Sequence, residues 1–166
     1  AISKMLVEEN LFVTSENRLA LSMLYYAEKR ILEFFSRRKD EKNRKIIATF
    51  DEYLVKKQET LGFELSTEQK KAVELINNGD KTLFLIGYAG TGKSTSSRAI
   101  LELLEETMSY DDIMTIALSG IASQRISDTT GYNSSTIQSL LMKHKEKDFF
   151  PYKAILLDEA SMVNSV

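Results

Sequence analysis

The sequence predicts an α/β fold: a parallel, doubly wound sheet flanked by helices, with a small helical region before it. Three observations predict it. Residues 81–86, 113–118 and 154–157 are short apolar runs with the near-continuous hydrophobicity of strands buried on both faces. Segments with helical spacing lie between them, and strands alternating with helices fold as parallel sheets. The first run leads into a glycine-rich loop and then another amphipathic segment, a strand–loop–helix unit.

Composition sets the bounds. Of 166 residues, 43% are hydrophobic, a share that disordered chains lack. The 22 basic and 24 acidic residues leave a net charge of −2, which neither favours nor excludes nucleic acid. There is no cysteine, so disulfides and Cys-ligated metal sites are excluded. No apolar run approaches the roughly 18 residues of a membrane span, and residues 1–4 show no signal-peptide pattern. The expectation is a cytoplasmic protein without a membrane partner.

Residues 1–64 read as a helical region. Ala20, Met23, Leu24, Ala27, Ile31, Phe34 and Phe35 recur at helical spacing, with Thr14 or Ser15 able to cap the start. A second helix carries Ile46, Ile47, Phe50, Tyr53, Leu54 and Leu61 and stops at Gly62. The second region, 65–166, opens on Ser66-Thr67-Glu68-Gln69, a capping box for a helix that ends at Asn77-Asn78-Gly79. After the strand at 81–86 and the glycine-rich loop, a helix runs to about Thr107. A strand at 113–118, a helix near 122–130 closed by Gly131, a short helix at 135–142 and the strand at 154–157 complete the order.

Gly87-Tyr88-Ala89-Gly90-Thr91-Gly92-Lys93-Ser94 matches the phosphate-loop pattern G-x-x-x-x-G-K-[ST] at every position. Glycines at 87, 90 and 92 let the backbone approach phosphate oxygens with no Cβ in the way. Successive N–H groups and the start of the next helix then converge on the anion. Lys93 is expected at the β- and γ-phosphates and the Ser94 hydroxyl on magnesium, which points to ATP with Mg²⁺ as the ligand. The acidic pair Asp158-Glu159 ends the third apolar run. Asp158 suits a magnesium ligand and Glu159 a group that orients or deprotonates water.

With Thr95 and Asp158-Glu159-Ala160-Ser161-Met162-Val163 added, the loop resembles the first two motifs of superfamily 1 DNA helicases, nearest the RecD-type branch and next the Pif1-type branch. Residues 117–125, Ala-Leu-Ser-Gly-Ile-Ala-Ser-Gln-Arg, resemble a motif that contacts single-stranded DNA. Residues 135–141, Ser-Thr-Ile-Gln-Ser-Leu-Leu, resemble a further family segment. The resemblance spans residues 65–163. It implies a RecA-like P-loop NTPase fold, incomplete within these residues, and movement along single-stranded DNA in the 5′ to 3′ direction. It also implies adenine reading by Gln69 and DNA contacts by Ser119, Gly120, Ser135 and Thr136. Ile121 and Gln138 depart from the family, which has lysine and histidine there. Such a motor also needs further strands, a second domain and an arginine finger, so the chain is expected to be part of a longer protein of low activity alone. Neither Arg98 nor Arg125 stands at a family finger position. The motor part of a conjugative relaxase and a nucleotide-dependent binding module are the alternatives.

Smaller features carry bland expectations. Ten basic residues against five acidic ones between Lys29 and Lys57 read as a solvated face before they read as a DNA surface. Tyr25, Tyr26, Phe34 and Phe35 read as core. Phe63 suits either the base or the core. His144, in Lys143-His144-Lys145, reads as an exposed loop residue.

Overall fold

The computed structural model describes residues 11–13, 19–62, 64–88 and 90–163, in two units that divide after Glu41. In the first, β1 (Leu11–Val13) and β2 (Leu19–Leu21) pair antiparallel with Leu11 opposite Leu21. β2 runs directly into α1 (Ser22–Arg38). The hairpin corrects an all-helical reading, and Ala20 belongs to β2. A three-residue run is too short for period two to be told from period 3.6. Thr14 and Ser15 lie outside the described residues, as does Phe63. α1 buries only Ala27 among its described side chains. Tyr26 and Phe34 are each 52% exposed, so they are not core residues, and the Arg38 guanidinium lies 5.0 Å from the Phe34 ring centre.

The second unit opens with a strap, 42–47, that leads to α2 (Phe50–Leu61). Asn77 pins the strap: its buried side chain accepts from Ile47 N–H at 2.9 Å and donates to Ile47 C=O at 3.2 Å. α2 ends where expected, at Gly62, whose φ of 75° turns its N–H back onto the Gln58 and Glu59 carbonyls. The capping box forms: Ser66 accepts from Gln69 N–H and Gln69 accepts from Ser66 N–H at the start of α3 (Thr67–Asn77). α4 (Lys93–Leu104) packs against α3 and against α5 (Gly120–Thr130). Phe50 and Leu54 of α2, Leu65, Val73 of α3, and Ala99, Ile100 and Leu103 of α4 make one core. Leu101, Ile113 and Tyr132 make a second beneath the sheet strands.

The sheet has the order β4-β3-β5. β3 (Ile113–Ala117) pairs in parallel with β4 (Ser134–Thr136) on one side, Ala117 opposite Thr136. On the other side it pairs in parallel with β5 (Ala154–Leu157), Ile116 opposite Leu157. α6 (Ile137–Lys143) follows β4. The parallel α/β expectation therefore holds, with three departures. β4 precedes the short helix expected at 135–142; its Ser-Ser-Thr sequence carries no strand signal. β5 is half-buried at Ala154 and Leu156 only, with Ile155 41% and Leu157 39% exposed. Residues 82–88 form no ladder with any described strand. Leu83 and Leu85 pack on the first core, whereas Phe84 is 63% and Ile86 95% exposed. An apolar run becomes a strand only with a partner for its N–H and C=O groups.

His144 is the plainest correction. It is buried at 7% exposure, edge-on to the rings of Phe150 and Tyr152, and neither ring nitrogen has a hydrogen-bond partner. Its cover comes from residues that follow in the chain and not from its lysine neighbours. Burial, then Lys147 and Lys143, hold its pKa below the ordinary histidine range.

Candidate functional site

Parallel pairing puts the carboxyl ends of β3, β4 and β5 on one edge, the edge where open α/β sheets hold ligands. Asp158 directly follows β5, and its N–H continues the ladder by donating to Ile116 C=O at 2.9 Å. Its Oδ1 accepts the Glu159 N–H at 3.0 Å. Glu159 itself adopts φ 52°, the one left-handed non-glycine residue among those described, and opens the tight turn Ala160–Met162. Such a conformation costs about 1–2 kcal/mol outside glycine.

The glycine-rich loop reaches the same place through α4. Gly90 and Gly92 both take φ 80°. A Cβ on Gly87 would sit 2.7 Å from Thr91 Oγ1, so any other residue there would have to push the Thr91 hydroxyl aside. Thr91 holds the turn with its hydroxyl, 2.8 Å from Tyr88 C=O. Lys93 folds back over the loop and donates to the carbonyls of Gly87 and Tyr88, at 2.7 Å each. The Tyr88 side chain is 89% exposed. Ser94 is exposed and Thr95 half-buried in the first turn of α4. Ala89 lies outside the described residues.

Gln69 is held at both ends. Its Oε1 takes the Ser66 N–H and its Nε2 donates to Gly92 C=O at 3.2 Å. The capping glutamine is thus also a brace between α3 and the loop, and an adenine would have to share it.

Lys93, Ser94, Arg125 and Asp158 line one cavity of about 60 Å³ between α4, α5 and the end of β5. The Arg125 guanidinium reaches Glu159 Oε1 at 2.5 Å and Asp158 Oδ2 at 3.6 Å. Glu159 first, then Asp158, raise the arginine's pKa above its ordinary value. The sequence reading assigned Arg125 no role here, and no local signal reveals a contact across 34 positions. Arg98, by contrast, turns away to Glu102 at 2.9 Å.

Ser119 and Thr136 lie on the same edge as helix caps. Ser119 accepts the Ala122 N–H at 3.2 Å to start α5, and Thr136 accepts the Ser139 N–H at 3.1 Å to start α6. Ser135 donates to Thr136 C=O. Gly120 and Ile121 are exposed at the first turn of α5, and Gln138 is exposed on α6.

A magnesium ion fits the donor set. The Ser94 hydroxyl and the Asp158 carboxylate are hard oxygen donors, and magnesium is held by one or two such groups plus phosphates and water. Among the described residues no group of three or more His, Cys, Asp or Glu could hold a metal alone.

Residues 64–166 match the model of a family described as the AAA domain. The chain belongs to that family. It is a P-loop NTPase-superfamily ATPase domain related to both DNA helicases and conjugal transfer proteins. It is 29% identical over 163 residues to the ATP-dependent RecD2 DNA helicase of Deinococcus radiodurans, covering 90% of this chain and 21% of that protein. It is 31% identical over 112 residues to the ATP-dependent DNA helicase RRM3 of Saccharomyces cerevisiae, covering 60% and 16%. It is 34% identical over 103 residues to a probable conjugal transfer protein TraA of Sinorhizobium fredii, covering 61% and 9%. The chain thus spans about a fifth or less of the length of these relatives. No described helix is long and apolar enough to cross a membrane.

Proposed function

We propose that this P-loop ATPase domain is the ATP-binding part of a DNA helicase of RecD type, which couples ATP hydrolysis to 5′ to 3′ movement on single-stranded DNA. The observation that carries the reading is the shared cavity: Lys93 and Ser94 from one side, Asp158 from the other. The boundary between a helical region, 1–64, and a motor region, 65–166, belongs to this proposal.

Each residue has a task. N–H groups of residues 90–94 face the phosphates at the start of α4, where the helix end favours an anion. Lys93 exchanges the Gly87 and Tyr88 carbonyls for β- and γ-phosphate oxygens. Ser94 and Asp158 would hold magnesium, which would supply positive charge to offset that of the phosphates. Glu159, fixed by its left-handed backbone, orients a water and takes its proton. The exposed first turn of α5, beside Ser119 and Gly120, and the segment at Ser135 and Thr136 meet single-stranded DNA. Conjugal transfer relatives make the motor of a conjugative relaxase the second reading.

The test uses the longer protein that carries this domain. Glu159→Gln is expected to abolish hydrolysis and unwinding while ATP still binds. Unwinding at the wild-type rate by that variant overturns the assignment of Glu159.

A further inference from the structure

We infer that Arg125 is a positioning residue that competes with magnesium: in the nucleotide-free protein its guanidinium fills the cation position beside Asp158 and Glu159, and it must leave for the metal to enter. The inference rests on the assignment of Asp158 to magnesium. Three observations carry it. The guanidinium contacts both carboxylates, at 2.5 Å and 3.6 Å. Arg125 and Asp158 line the same cavity as Lys93 and Ser94, so a metal held by Ser94 and Asp158 would sit beside the arginine's positive charge. And the two sides of the contact differ in freedom. The Arg125 side chain is 62% exposed, so it can swing out, whereas Asp158 is tied into the β3–β5 ladder and Glu159 into a left-handed turn.

One guanidinium nitrogen, Nη2, makes both contacts, and arginine stays charged at any working pH. It therefore keeps two adjacent acids apart from stray cations until a ligand with stronger attraction arrives. The backbone of Arg125 lies on α5 between the buried Ala122, Ser123 and Ile126, so the helix position sets how far the guanidinium reaches.

The nucleotide-free chain tests this directly. Mn²⁺, a paramagnetic stand-in for magnesium, is titrated while line broadening of the Asp158 and Glu159 amides is followed by NMR. Exposed ion pairs of this kind are weak, so Arg125→Ala is expected to lower the Mn²⁺ midpoint about three- to fivefold. Arg125→Lys, which keeps a positive charge on a shorter reach, is expected to fall between. Equal midpoints with clear broadening at Asp158 and Glu159 overturn the latch and leave the metal site standing. No broadening there in either protein overturns both.

Discussion

Gly90 and Gly92 share a φ of 80° but not surroundings, and this makes a matched pair of substitutions informative. A Cβ on Gly90 meets nothing within 4 Å, whereas one on Gly92 runs into the Gln69 side-chain amide. Alanine at either position suffers the left-handed penalty of about 1–2 kcal/mol. At Gly92 it also displaces the Gln69 brace, which links Ser66 N–H to Gly92 C=O. Hydrogen bonds of this kind contribute about 0.5–1.5 kcal/mol each, so Gly92→Ala is expected to cost about 1–2 kcal/mol more than Gly90→Ala. In a chain of 166 residues that difference corresponds to a lower Tm by about 2–8 °C. Calorimetric or circular-dichroism melts of the two variants measure it. In a Gln69→Ala background the two costs are expected to converge. Equal destabilisation of both variants in the wild-type background would refute the brace.

Two further outcomes follow from strain and burial. Glu159→Gly relieves the left-handed backbone and is expected to be about 1 kcal/mol more stable than Glu159→Ala in urea unfolding; equal stability would remove strain from the account of that turn. His144 is held below its ordinary pKa by burial, so the unfolded chain binds the proton more readily and stability rises with pH. That contribution is complete above about pH 6.5, the unfolded value, and is lost as pH falls from there through the lower folded value. Urea midpoints of wild type and His144→Phe are expected to diverge below that pH, and parallel curves would contradict it.

What the sequence made legible was local. The capping box at Ser66–Gln69, the stops at Gly62 and Gly131, and the helix that starts after the glycine-rich loop each depend on residues a few positions apart, and each forms. β3 was legible because Ile113, Met114 and Ala117 are apolar and buried on both faces. What escaped depends on distant partners. β4 is a strand because β3 pairs with it, not because Ser134-Ser135-Thr136 favours one. Residues 82–88 carry the right composition without a ladder. His144 is buried by Phe150 and Tyr152, against the message of its charged neighbours. At the site, the residue types and spacing of Lys93, Ser94, Asp158 and Glu159 were readable, but Arg125 was not. Its contact with Glu159 exists only because α5 follows β3, Glu159 follows β5, and those two strands lie side by side.

On the proposed function, Gly87–Ser94 and Asp158 form one site for ATP with magnesium. Isothermal titration of this chain with ATP, with and without Mg²⁺, tests it most directly. The expected result is magnesium-enhanced binding that Lys93→Ala strongly weakens and whose magnesium dependence Asp158→Asn removes. Unchanged affinity in Lys93→Ala, or magnesium enhancement that survives in Asp158→Asn, would contradict it.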